Sequence, residues 1–497
     1  MSYPPPFSLR GVFRRTSLFM AVALLSGCVT LGPLPDAAQP VAADWRNRGV
    51  LTTAPGADPA TWWSAFNDPV LDALVAQTLG SNLNLAQAGH RLRAARSLVR
   101  PAIAQQRPQI TAGASGQRQQ RLSGPGNIDL QRSELSPDGL LLREEGRASG
   151  NWQAGFDAAW EIDLFGRASA GVTAARAAAE GAEAEAEMAR VSVVAEVVRT
   201  YVELRAAQQR QALLTANIEA QNRLVALARE RRDAGIGSDL DVDRSLTIAA
   251  DTAGQLHTQG LLIGQAVQRI AVLTGESVVN DALLQAVSQP QARLLALPIL
   301  PADLLRVRPD IRRAEHAVTQ AAAELDVAVA DLYPRLSLTG ALQATGNLVG
   351  NALPGRTSQA LAGLSIQIPL LDWGARRAVV NAREAVLAAT IESYRLAVLE
   401  GIEETENALN AIETQRRRMN EESVRLQAAQ RADSHADMLN RRGITSLSDR
   451  LEAAIVLRGA ELAGVEVVEQ QALAVVALHK AVGGASLRAA QPMHAGI

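Results

Sequence analysis

Cysteine is almost missing from this chain of 497 residues, and the single one, Cys28, excludes an internal disulfide or a cysteine-built metal site. Histidine is sparse as well. His90, His257, His316, His435, His479 and His494 are scattered, with none at a metal-ligand spacing from another, so they read as solvated or packed side chains. Neither a phosphate-binding loop nor a nucleophile elbow occurs. The sequence therefore implies no catalytic residue, no metal and no cofactor, and it predicts a protein that is not an enzyme. A formal net charge of −2 removes the basic footprint that a nucleic-acid partner requires. Beyond residue 27 no apolar run is long enough for a membrane-spanning helix, so a mature chain that crosses a bilayer must do so with strands. Proline is absent between Pro137 and Pro290 and again between Pro369 and Pro492, which leaves two long stretches free of that helix breaker.

The beginning of the chain has the pattern of a bacterial secretory signal, residues 1–27. Arg10, Arg14 and Arg15 precede an apolar run from Leu18 to Leu25, and Leu25-Ser26-Gly27 leads directly into Cys28. That ending resembles a lipobox, which makes Cys28 the lipidated, palmitate-bearing first residue of a lipid-anchored segment, 28–60. Val29 in place of an aspartate implies sorting to the outer membrane, with the body of the protein reaching into the periplasm.

The rest divides into two similar halves, 61–282 and 309–484, joined by a linker at 283–308 and followed by a tail at 485–497. In the first half, Ala168 to Arg232 reads as one helix of about 65 residues, near 100 Å at the standard rise. Its narrow apolar seam comprises Val191, Val194, Val198, Tyr201, Leu224 and Leu227. Ala375 to Arg441 is the counterpart, with Leu399, Ile402, Leu409 and Ile412 on one face. Each long helix runs into a glycine turn, Gly235-Ile236-Gly237-Ser238 or Gly443-Ile444-Thr445-Ser446, and then into a returning helix, 240–273 or 447–482. Both returning helices open Ser-x-x-Asp, a capping-box-like start. Phe165-Gly166 and Trp373-Gly374, which open the long helices, are 208 residues apart, and so are the two glycine turns. That common offset marks an internal duplication. Shorter helices, 82–106 with Pro101 inside it and 310–332, precede the strands.

Each half also holds two strand-like segments. Leu336, Leu338, Gly340 and Leu342 alternate with Ser337, Thr339, Ala341 and Gln343 within 335–344, and Leu364, Ile366 and Ile368 alternate within 362–370. The first-half equivalents are 109–119 and 151–164, joined by a polar stretch from Arg121 to Gly150 that reads as a loop. Four strands leave two open edges, and unpaired backbone groups in lipid each cost several kcal/mol, so the chain cannot insert alone. Two copies would close at eight strands with a filled interior, three at twelve with room for passage, so a trimer fits a duct better. Four helical columns per chain, rich in alanine and poor in large apolar residues, suit a hollow twelve-helix cylinder.

Several stretches then resemble one family in order along nearly the whole mature chain. They are Trp62-Trp63-Ser64-Ala65-Phe66-Asn67-Asp68-Pro69, Trp160-Glu161-Ile162-Asp163-Leu164-Phe165-Gly166-Arg167, Arg308-Pro309-Asp310-Ile311-Arg312, Tyr333-Pro334-Arg335, and Ile368-Pro369-Leu370-Leu371-Asp372-Trp373-Gly374. The set is similar to the TolC-like outer-membrane factors, in the lipoprotein branch that serves tripartite efflux systems of the resistance-nodulation-division type. The resemblance implies a homotrimer with a twelve-stranded β-barrel in outer-membrane lipid, continuous with a periplasmic twelve-helix α-barrel. It also implies a passive exit channel served by a periplasmic adaptor and a proton-driven inner-membrane pump. The chain departs from the family at Gly401, where an aromatic is usual, and after Gly484.

Matched position by position, the family's constricting acids fall on Asp241, Asp449 and Glu452, candidates for a periplasmic gate. The turns at Gly235, Gly237, Ser238, Gly443 and Ser446 become candidates for adaptor docking. The family's tyrosine and arginine latches fall on Asn440 and Thr445. Acids in a first helical turn also serve ordinary capping, and that reading of Asp241 and Asp449 stands beside the gate. Two alternatives remain at this level: an exit channel of type I secretion, and a pore-less periplasmic coiled-coil scaffold.

Overall fold

The computed structural model describes residues 40–47, 59–120, 127–136, 139–145, 148–291, 301, 303, 307–347 and 356–484. Residues 1–27, read above as a secretory signal, Cys28, most of the segment 28–60, part of the linker 283–308 and the tail 485–497 lie outside the described residues. The main helices among the described residues are α1 Pro69–Ser81, α2 Leu83–Gln105, α3 Arg167–Asp233, α4 Asp239–Leu273, α5 Pro309–Ala330, α6 Ala375–Arg441 and α7 Leu447–Ala481, with short 3-10 helices at Pro59–Phe66 and Asp281–Leu284. Six strands accompany them: β1 Gln109–Gln120, β2 Asn127–Ser136, β3 Gly139–Glu145, β4 Ala148–Ile162, β5 Arg335–Asn347 and β6 Thr357–Gln367. α3 and α6 have 67 residues each and α4 and α7 have 35 each, and both pairs are displaced by 208 residues at both ends. Ahead of the long helices the offset is larger, 226 residues from Gln109 to Arg335, so the first repeat carries 18 extra residues between its strands.

Those residues correct the reading of Arg121 to Gly150 as a loop. β2 and β3 pair there as an antiparallel two-stranded ribbon with a register shift between Asp129 and Glu134. Gly139 opens β3 and Gly150 lies within β4, so glycines that gave the stretch its loop-like look are taken into strands. β6 differs too. It starts at Thr357, ahead of the apolar alternation, because pairing with β5 recruits the small and polar residues 357–360. It stops before Pro369, which has no N–H for the ladder.

The chain forms two compact units. The strand unit comprises residues 96–176 and 319–389. Its sheet has the order β1-β4-β5-β6, antiparallel throughout. Register places Ile110, Ala112, Phe156, Trp160, Leu338, Leu342, Leu364 and Ile366 on one face. The other face carries Thr111, Ser115, Gln153, Asp157, Ser337, Thr339, Gln343 and Ser365, and Gln343 Nε2 donates to Asp157 Oδ1 at 3.0 Å. Phe156, Leu342, Leu364 and Ile366 are all exposed within the single chain. A sheet apolar on one side, polar on the other and packed on neither is built for lipid and water.

The helical unit comprises residues 37–95, 177–318 and 390–484 of the described chain. One core gathers Trp62, Trp63, Phe66 and Leu71 with Val194, Val198 and Tyr201 of α3, Ile263, Val267 and Ile270 of α4, and Val476 of α7. A second joins Trp45 and Ile311 to Val398, Leu409 and Ile412 of α6 and Leu478 of α7. The seam read from sequence therefore holds through Val191, Tyr201, Leu409 and Ile412, while Leu227 and Leu399 remain exposed.

The family-like motifs are the joints of this unit. Asp68 caps α1, accepting from Val70 N–H at 2.9 Å, and also accepts the Tyr201 hydroxyl at 2.6 Å. Burial and that bond push the Tyr201 phenol up to about 12. Trp62 stacks on His479, with ring centroids 4.8 Å apart, and burial lowers that imidazole to about 4, so it is neutral at physiological pH. Arg308, itself buried, donates to Asp310, Glu404 (2.9 Å) and the Ala481 carbonyl (2.6 Å). Its Nε lies 3.1 Å from where a Cβ on Gly401 would stand, a tight contact that favours glycine at a position where an aromatic was expected. Arg312 pairs with buried Glu187 at 2.6 Å.

A glycine inside the sheet gives a direct test of this register. A Cβ on Gly155 would stand 2.3 Å from the Leu342 carbonyl oxygen, whereas one on Gly113 of β1 meets nothing within 4 Å. Gly155→Ala should sharply lower the amount of heat-modifiable assembled protein in outer membranes, and Gly113→Ala should leave it near wild type. Equal yields from the two variants would contradict the β4–β5 pairing.

Candidate functional site at the helix tips

The sequence of each glycine turn dictates its shape. At the end of α3, Ile236 N–H donates to the Arg231 carbonyl and Gly235 N–H to that of Arg232, both at 2.9 Å, with Gly235 at φ +73°. At the end of α6, Ile444 donates to Leu439 (3.0 Å) and Gly443 to Asn440 (2.9 Å), with Gly443 at φ +71°. This pair of bonds terminates a helix through a left-handed residue, which glycine adopts without a Cβ penalty. Gly237 is held for another reason, since an added Cβ would approach Arg232 N to 2.8 Å. Its counterpart is Thr445, whose carbonyl accepts from Asn440 Nδ2 at 3.0 Å. The two latch positions thus form a local bond inside the second turn.

Both returning helices are capped as their Ser-x-x-Asp openings imply. Ser238 Oγ accepts from Asp241 N–H at 3.2 Å and donates to Asp241 Oδ2 at 2.8 Å. Ser446 and Asp449 complete a reciprocal box, with Asp449 N–H on Ser446 Oγ at 3.2 Å and Ser446 N–H on Asp449 Oδ2 at 3.0 Å. The carboxylates of Asp241 and Asp449 are therefore engaged in capping. Glu452, one turn further along α7, is exposed and has no hydrogen bond or ion pair among the described residues. Its first-repeat counterpart is Arg244, whose Nη1 reaches Ser448 Oγ at 3.4 Å, so the acidic pattern is not duplicated.

The two tips touch through apolar side chains. Ala228 of α3 and Val242 of α4 are buried with Leu447 and Leu451 of α7, and Leu224 packs against them. Within the second hairpin, Arg450 of α7 binds Asp433 at 2.6 Å and Asp437 at 3.1 Å, both on α6. Sequence reasoning missed this tie, although the signal was there. Asp433 and Asp437 are one helical turn apart, and folding back at Gly443 sets a residue near 450 opposite them. The first hairpin has Val242, Val225 and Arg229 at the equivalent places, so this tie is not repeated there; its two helices are linked by Arg232 and Asp239 at 3.7 Å and by the burial of Val242 with Ala228.

The pattern described as outer membrane efflux protein matches residues 74–276 and 300–484 of this chain. The chain belongs to the outer membrane efflux protein family. Nodulation protein T of Rhizobium leguminosarum bv. trifolii is 28% identical over 473 residues, which cover 95% of this chain and 97% of that protein. Pyoverdine export outer membrane protein OpmQ of Pseudomonas aeruginosa is 28% identical over 474 residues, 93% and 96% of the two chains. The solved outer-membrane channel OprN is 31% identical and superposes with a TM-score of 0.79, over 92% of this chain and 99% of its own. The efflux family member described here is therefore an outer-membrane channel component, and its fold is the expected one. Three chains, each giving a four-stranded sheet, form one twelve-stranded barrel, and their long helices form a helical barrel. A pore-less scaffold has no use for the amphipathic sheet.

The capping box at the second tip yields a local prediction. Ser446→Ala should weaken the start of α7 by about 1 kcal/mol. Amide hydrogen exchange should accelerate over the first turn of α7 and stay unchanged at the start of α4. Unaltered exchange in α7 would show that the box does not hold this tip.

Proposed function

We propose that this channel is a passive exit duct for drugs or other small solutes, delivered by a proton-driven inner-membrane pump through a periplasmic adaptor. The observation that carries the reading is the sheet, whose one face offers leucine, isoleucine and phenylalanine to lipid while the other offers amides and hydroxyls to water. A wide, hydrated lumen recognises no single shape, which agrees with relatives named for cargoes as different as pyoverdine and toluene. Cys28 carries the lipid that anchors the chain to the outer membrane. The duct is closed when idle at the helix tips. There the adaptor docks on the turns at Gly235, Gly237, Ser238, Gly443 and Ser446 and parts the helices.

Among the three acids, Glu452 is the best candidate for a ring that faces passing ions, because its carboxylate is uncommitted whereas Asp241 and Asp449 support their helix caps. Three copies gathered about the axis would resemble the acidic constrictions of cation-selective pores.

Two measurements test this. Glu452→Gln trimers in planar bilayers should show a weaker preference for cations than wild type, with the fold undisturbed. Asp449→Asn, which keeps an acceptor for the cap, should change selectivity less. Identical reversal potentials for Glu452→Gln and wild type would remove the residue from the gate. Labelled palmitate should enter the wild-type protein and be absent from Cys28→Ser, and label in that variant would refute the anchor.

A further inference from the structure

The duplication supplies a template for a joint that one chain cannot complete. At the entry to α3, Phe165 of the first repeat stacks on Tyr333 of the second, with centroids 4.8 Å apart and planes 18° apart. Both lie in the strand unit. Displaced by the repeat offsets, Phe165-Gly166 becomes Trp373-Gly374, and Tyr333-Pro334-Arg335 corresponds to Arg107-Pro108-Gln109.

Neither counterpart has a partner of this kind among the described residues. Trp373 is 91% exposed and sits at φ +54°, a left-handed backbone that a bulky residue rarely adopts. Leu370 and Leu371 beside it are 90% and 75% exposed, while Ile162 and Asp163, at the same repeat positions, are half-buried at the end of β4, beside β5. The Arg107 guanidinium is exposed and makes no hydrogen bond or ion pair among the described residues.

Topology identifies what covers them. β1 and β6 are the two unpaired edges of the sheet, and every residue along both is exposed. Because all neighbours are antiparallel, β1 of another copy continues the sheet beside β6 with its direction preserved. Gln109, at the start of β1, pairs near the end of β4, and Gln367, at the end of β6, pairs with the start of β5. Arg107 and Trp373 therefore lie at the same end of the sheet, on its opposite edges.

We propose that Arg107 of one copy seats its guanidinium on the Trp373 indole of the next, a cation–π joint standing where Phe165 and Tyr333 stack inside the chain. It rests on the trimeric assembly above and names the contact that fastens its seam. Tryptophan is the aromatic ring, and arginine the side chain, most often found in such a pair.

The test is a cross-link in intact outer membranes. A chain carrying Arg107→Cys and Trp373→Cys, treated with a short bifunctional thiol reagent, should give covalent dimers and trimers on denaturing gels. Either single variant, which keeps Cys28, should give none. An unheated sample that still runs as trimer but yields no covalent ladder overturns the joint and leaves the trimer standing, with the indole assigned to the lipid headgroups. A stable monomer in the wild type overturns the assembly itself. A double-mutant cycle guards against misfolding of the cysteine pair. Arg107→Ala and Trp373→Ala should each lower the temperature at which the trimer band collapses, and the double variant should lose no more than the worse single. Additive losses overturn the pairing.

Discussion

A backbone N–H or C=O left without a partner in hydrocarbon costs several kcal/mol, and the strand unit presents two rows of them, along β1 and β6. No side-chain chemistry in the chain can relieve that, since the groups belong to the main chain itself. Only another strand can, and the only strands whose alternation and length are certain to match come from identical copies. Closure of the barrel, the outward apolar face and the hydrated inner face all follow from this need. Glycine at position 155 has the same origin, because strands that must pair continuously leave no room for a Cβ beside the Leu342 carbonyl.

The helices meet a different demand. In α3 and α6, at 67 residues each, large side chains are confined to a narrow seam, and burial concentrates where α1, the returning helices and the start of α5 converge. Buried charges are placed there with their partners, Arg308 with Asp310 and Glu404, and Arg312 with Glu187. An arginine stripped of water is tolerated only when its donors are taken up, and these pairs fix the N-terminus of α5 against α6 and α3. The glycine at 401 makes room for one of them.

At the tips, the two repeats have diverged while keeping one backbone plan. Both helix stops use a left-handed glycine, and both restarts use Ser-x-x-Asp. Their lateral ties differ: Val242 and Val225 in the first hairpin stand where Arg450 and Asp433 stand in the second. The second hairpin therefore carries a cross-helix ion-pair network, Arg450 with Asp433 and Asp437, that the first has only as the longer Arg232–Asp239 pair.

The sequence by itself determined the elements and their repetition. Helical seams of period near 3.6, strand alternation of period 2, glycine turns and the 208-residue offset are local or translational patterns, and they survive without any knowledge of contacts. Tertiary structure decided what such patterns cannot carry. It turned the stretch after Arg121 into a ribbon, because the antiparallel pairing of β2 with β3 recruits polar residues that carry no strand signal in sequence. It extended β6 back to Thr357, because ladder hydrogen bonds recruit residues with no hydrophobic signal. It assigned Asp241 and Asp449 to helix caps, left Glu452 free and tied Arg450 to Asp433, since an acid in a first turn reads the same in sequence whether it bonds its own helix or faces open water. Partners far apart along the chain are chosen by geometry, and geometry exists only once the chain has folded.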